Sequence, residues 1–146
     1  MNRRKRIVRQ TMLGVVGAAA ILIAGYPGAS WSQEVKIALG GSQQVPPVTT
    51  SASGSGTITI GADKAVSGSV TTTGVAAIAA HIHQAAAGQN GPVIIPLTKT
   101  ADNVWSVPAG AKLTDEQFTA FKAGNLYVNV HSAANKGGEI RGQLKP

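Results

Sequence analysis

From about residue 35 onward this chain changes polarity at every second residue, in short runs that end at turn residues. A period of two is the signature of strands, because successive side chains leave opposite faces of an extended backbone. Val35, Ile37 and Leu39 alternate with Lys36 and Ala38 and stop at Gly40-Gly41. Thr57-Ile58-Thr59-Ile60 alternates and ends at Gly61, and Val66 and Val70 flank Gly68 in a run reaching Thr71–Thr73 and Gly74. Residues 75–83, 93–97, 103–107, 126–131 and 138–144 complete the set. Seven or eight short strands at this spacing predict an all-β fold, an antiparallel β-sandwich. Pro96 cannot donate to a ladder, which places it at an edge or a bulge.

One helix is expected, over about 114–123. Thr114 is an N-cap with Gln117 three residues on, the spacing of a capping box. Asp115 and Glu116 fill the first turn, where the helix dipole favours acids, and Gly124 is the natural stop. Leu113 and Phe118 can staple the entry, and Phe118 and Phe121 share the inner face. The helix is a connector packed on the sheet.

The N-terminus sets the compartment. Arg3, Arg4, Lys5, Arg6 and Arg9 precede an apolar run from Met12 to Ala24 and then small residues. This is the pattern of a secretory signal peptide, with cleavage expected after Ser30 or Ser32. The run is shorter than the roughly 20 residues of a comfortable membrane span. An uncleaved anchor is the alternative, and the arginine pair admits twin-arginine as well as general export. The expectation is a leader over 1–32, one domain over 33–146, and a periplasmic or secreted product with no membrane attachment after cleavage.

Loss of the leader removes five of the 13 basic residues, leaving eight against six acids, or +2 in place of +7. The high isoelectric point is therefore a targeting feature, and nucleic-acid binding is set aside. The remaining residues, about 114, suit one core. The absence of cysteine excludes disulfides, thiolate ligands and cysteine catalysis, so any metal must take nitrogen and oxygen ligands.

The chain has three histidines. His81 and His83 leave the same face of one strand, in Ala80-His81-Ile82-His83, and His131 closes Tyr127-Val128-Asn129-Val130-His131. Three neutral imidazoles suit Zn²⁺, Cu²⁺ or Ni²⁺, copper first by affinity order and zinc second, with coordination positions left open. On the polar face of the last two strands, Glu139 is the candidate fourth ligand or orienting group. Tyr127, Asn129 and Arg141 are the candidate surrounding residues. The competing interpretation has half-buried histidines bonded to loop carbonyls. Parity does not give strand order, so convergence within one chain and completion across a homodimer are both open.

No catalytic residue is assigned. Asp115 and Glu116 belong to the helix start, Asp63 and Asp102 fall in turns, and no serine occupies a strand–elbow–helix setting. The glycines do not follow a phosphate-binding spacing. Trp105 reads as core.

The chain resembles the CHRD domain family, which occurs in the developmental regulator chordin and in bacterial exported proteins. The resemblance rests on Leu39–Pro47 (LGGSQQVPP), Ala80–His83 (AHIH), Asn90–Val93 (NGPV), Leu126–His131 (LYVNVH) and Gly138–Leu144 (GEIRGQL). It implies an immunoglobulin-like β-sandwich and brings no defined activity. The His-x-His pair, the later histidine and the C-terminal arginine also resemble the copper side of Cu/Zn superoxide dismutase. This chain lacks that enzyme's bridging histidine, its zinc ligands and its disulfide cysteines. Three functions follow as expectations: transition-metal binding, a metal-independent module for a protein or polysaccharide partner using a sheet face or the loops 43–48 and 85–91, and a dismutase-like redox enzyme.

Overall fold

The computed structural model describes residues 31–146; most of the expected leader lies outside them. In chain order the strands are β1 (Ser32–Gly40), β2 (Ser53–Gly61), β3 (Val66–Thr73), β4 (Ala77–Gln84), β5 (Val93–Pro96), β6 (Thr98–Ala101), β7 (Val104–Ser106), β8 (Leu126–Ser132) and β9 (Ile140–Leu144). Helix α1 (Asp115–Lys122) lies between β7 and β8. The all-β fold with one short helix agrees with the sequence. The strand count is nine, because the expected run 93–97 ends as β5 at Pro96 and a further strand, β6, follows at Thr98–Ala101. Among the described residues no helix is long and apolar enough to cross a membrane.

All nine strands pair antiparallel in one order, β5-β4-β8-β9-β1-β2-β3-β7-β6. The sheet nevertheless has two leaves. β5-β4-β8-β9 joins β1-β2-β3-β7-β6 through a single register pair, Gly40 with Arg141. The leaves meet tightly there: a Cβ on Gly142 would lie 2.5 Å from Ala38 O, so only glycine fits. On the far side the two sheet edges, β5 and β6, are separated by Leu97 alone, whose N–H donates to Ala80 O at 2.9 Å. The sheet is thus almost closed on itself. Pro96 ends edge strand β5, where its missing N–H costs nothing.

The alternating apolar residues fill the space between the leaves. Val35, Ile37, Leu39, Ile58, Ile60 and Val70 face Ala80, Ile82, Leu126, Val128, Val130, Ile140 and Leu144, all buried. Each large aliphatic side chain buried this way contributes about 1.5–3 kcal/mol. Helix α1 adds Phe121 to that core, and its capping box forms with both reciprocal bonds between Thr114 and Gln117.

The other face of β8 departs from simple alternation. Tyr127 and Asn129 are polar yet buried, as is Arg141 beside them on β9. The loops 41–52 and 85–92 fold over this face and donate to its side chains or accept from them. A second, polar layer therefore sits outside the apolar core, and the histidines lie at its margin.

Candidate metal centre

β4 and β8 bring the three histidines together. His81 and His83 project from one face of β4, and His131 lies opposite Ala79 on β8, diagonal to His81. The small side chain of Ala79 leaves room for the two rings to meet. One ligand nitrogen from each histidine lies within 4.8 Å of the other two. His81 Nδ1 and His131 Nε2 are 3.1 Å apart, close to the spacing of about 3.3 Å between two imidazole nitrogens on a tetrahedral metal.

Backbone carbonyls fix two of the tautomers. His83 Nδ1 donates to Gly91 O at 2.9 Å, and His131 Nδ1 donates to Lys136 O at 2.8 Å. A carbonyl only accepts, so each Nδ1 carries the proton and each neutral ring keeps its lone pair on Nε2. His81 Nδ1 then donates to His131 Nε2. His83 Nε2 is buried and has no hydrogen-bond partner. An acceptor left in that state costs about 1–3 kcal/mol. A metal ion bound among the rings removes that cost and requires only that His81 carry its proton on Nε2. The donor set fits a borderline cation.

Electrostatics favour the neutral, ligating form. Burial lowers the pKa of His81, and His131 and His83 lower it further. Burial also lowers that of His83; the Gly91 bond opposes this, while His131 and Arg141 add to it.

Tyr127 lies opposite His83 and Asn129 opposite His81, and Arg141 pairs with Asn129 from β9. The Tyr127 ring stacks on His83, and its hydroxyl accepts from Gly91 N–H at 3.1 Å. Arg141 is 1 % exposed and sits over the Tyr127 ring. It donates through Nη1 to Gln89 O at 2.8 Å and through Nη2 to Ala86 O at 3.2 Å and Gln143 Oε1 at 3.1 Å. These bonds hold the loop whose Gly91 carbonyl orients His83. Asn129 donates to Gly137 O at 3.2 Å and accepts from Gln44 Nε2 at 2.6 Å. It thereby fixes the loop whose Lys136 carbonyl orients His131.

Glu139 is not brought to the histidines. Thr50 Oγ1 donates to its carboxylate at 2.8 Å. Hydrogen bonds from Ser132 and Thr50 hold its pKa below the usual carboxylate value, against a small burial effect. Nor does Glu139 pair with Arg141, whose oxygen partners are neutral. Among the described residues, the histidines alone form a cluster of metal-ligating type.

The parts the sequence did not supply as site residues are the backbone carbonyls of Gly91, Lys136, Gln89 and Ala86, and the side chain of Gln44. One signal was present in the turn 88–92. A Cβ on Gly91 would fall 1.9 Å from Gln84 O, so this turn requires glycine where it docks on β4.

Comparison with curated proteins and with solved structures yields no match. The family model for the CHRD domain spans residues 35–144, which runs from the first strand of the sheet to the last and includes the histidine-bearing β4 and β8, and the chain belongs to the CHRD domain family.

Proposed function

We propose that this CHRD domain is an exported metal-binding protein whose His81, His83 and His131 hold one transition-metal ion, copper first and zinc second. The observation that carries the reading is the buried, partnerless His83 Nε2 facing two other imidazoles. A structural histidine would find a donor for that atom; a ligand keeps its lone pair for a cation. CHRD domains are typically extracellular modules, which agrees with the basic and apolar N-terminus.

His83 and His131 are the pre-set ligands through Nε2, oriented by Gly91 and Lys136. His81 is the adjustable ligand, since its present bond is to another member of the trio. Tyr127, Arg141 and Asn129 hold the two orienting loops and take no part in coordination. A bound ion would supply a positive centre with open coordination positions, suited to storage, delivery or sensing.

The test is titration of the exported protein with Cu²⁺ and Zn²⁺ beside a variant with all three histidines changed to alanine. About one ion per chain is expected, lost in the variant and weakened near pH 5 as imidazoles protonate. Unchanged stoichiometry and affinity in the triple variant would overturn the reading. Superoxide turnover of the loaded protein above a free-metal control would add a redox role.

A further inference from the structure

The nearly closed sheet has one open fork, along the end of β4 that precedes His81. The run 93–101 starts as β5 on β4, pairing Ile95 with Ile82 and Pro96 with His81. Leu97 adds one bond to Ala80 O. The chain then crosses to the other leaf, where β6 pairs with β7, Lys99 opposite Trp105. Below Ala80 the strands part. Ala77 and Ala79 keep their β8 partners on one side, and among the described residues no strand covers the other side. β6 is the terminal strand of the other leaf, and its Lys99 lines the same gap.

A cleft of about 300 Å³ fills the fork, lined by Val75, Ala77, Ile78, Lys99, Asn103 and Trp105. Two of these residues are in unusual states. Trp105 is 5 % exposed, yet its indole N–H has no acceptor. Ile78 is 60 % exposed. It sits at a β-bulge between Ala77 and Ala79, a device that re-aims a side chain and ends regular pairing. An unpaired strand edge and an apolar side chain at the lip converge on one cleft, with the buried Trp105 side chain in its wall.

We infer that this fork binds an extended polypeptide segment by strand addition to Ala77–Ala79, with an apolar side chain covering Ile78 and resting against the Trp105 side chain. Three extended residues span about 10 Å, the length of the free edge. Backbone hydrogen bonds supply affinity in this mode, and the side chains that meet Ile78 and Trp105 supply selectivity. The inference does not depend on the metal reading, because no histidine lines the cleft.

The test uses ¹⁵N-labelled exported protein and a capped five-residue peptide of alternating threonine and valine. Saturable shifts of the Trp105 indole N–H and of the Ala77–Ala79 amides are expected. A peptide N-methylated at its central residue, which has lost one donor, should bind roughly fivefold more weakly. Ile78→Asp, at an exposed position that leaves the fold intact, should abolish the shifts, and the triple-histidine variant should retain them. No saturable shift at Trp105 would overturn the inference, as would equal shifts from the N-methylated peptide or from hexanoate, which would make the fork a small-molecule cleft. Concentration-dependent shifts without peptide would also overturn it, assigning the edge to a second copy of this chain.

Discussion

His83 and Tyr127 face each other across β4 and β8 as a stacked pair, ring centroids 4.9 Å apart and planes 11° from parallel. The same tyrosine ring carries the Arg141 guanidinium, its Cζ 3.5 Å from the centroid. A buried cation, an aromatic ring and an imidazole thus form one continuous stack beside the trio. A guanidinium over a tyrosine face is worth about 2 kcal/mol when desolvated. Its hydrogen bonds also tie the loop 86–91 to β9. The ligand geometry of His83 therefore depends on a residue that does not touch the trio.

Arg141→Gln tests that dependence. The carbonyls of Ala86 and Gln89 lose their buried donor, and the loop bearing the Gly91 carbonyl loosens. Loss of a group that orients a ligand typically lowers metal affinity 10–100-fold, and that range is expected for copper here. Orphaned carbonyls add a destabilisation of about 3 kcal/mol. Copper titration and urea unfolding of the same variant separate the two effects. Wild-type affinity in a destabilised protein would show that the loop does not set the ligand.

Among single substitutions, His83→Ala should weaken copper most, because His83 is the most buried of the three and its Nε2 is already free of any partner. Glu139→Ala should leave stoichiometry unchanged, since that carboxylate bonds with Thr50 rather than facing the imidazoles. Isothermal titration of the two variants decides between a three-histidine site and one that recruits Glu139.

Stability of the metal-free protein should fall on acidification in a defined window. His81 and His83 have folded pKa values below the ordinary 6.5. Between those lowered values and 6.5 the unfolded chain binds protons that the folded chain refuses, so unfolding becomes easier as pH falls. The loss begins near 6.5 and ends once pH passes below the folded values. Urea midpoints from pH 8 down to pH 4.5 should show this step, and the triple-histidine variant should lack it. A step of equal size in that variant would assign it to other groups.

Much of this architecture was legible because strands and caps are local. Alternation at Val35–Leu39 and Thr57–Ile60 identified core faces, and Thr114 with Gln117 located the helix start. The shared face of His81 and His83 followed from parity, as did the polar face of Tyr127, Asn129 and Arg141. Strand order is a long-range property, so the β4–β8 pairing that brings His131 to His81 could not be read from spacing. The same limit hid β6, because Thr98–Ala101 has no apolar alternation and becomes a strand only by pairing with β7. The orienting groups were invisible for another reason. Gly91 O and Lys136 O are backbone atoms, which every residue type carries.

Gly138 and Thr114 separate local from site-linked stability. Gly138 has φ +124, and a Cβ there would lie 2.3 Å from Asn129 Oδ1. Gly138→Ala must therefore strain the backbone and displace the amide that also holds Gln44 and Gly137. A loss of about 2–3 kcal/mol is expected, together with weaker copper binding, because the shifted loop carries the Lys136 carbonyl that orients His131. Thr114→Ala removes the N-cap acceptor for Gln117 N–H and should cost about 1 kcal/mol. Its helix is remote in sequence from the orienting loops, so copper affinity should match the wild type. Urea unfolding with copper titration of both variants checks the contrast. Equal copper affinity in both would mean that the 133–138 loop does not position His131, and the pre-set ligand would then be His83 alone.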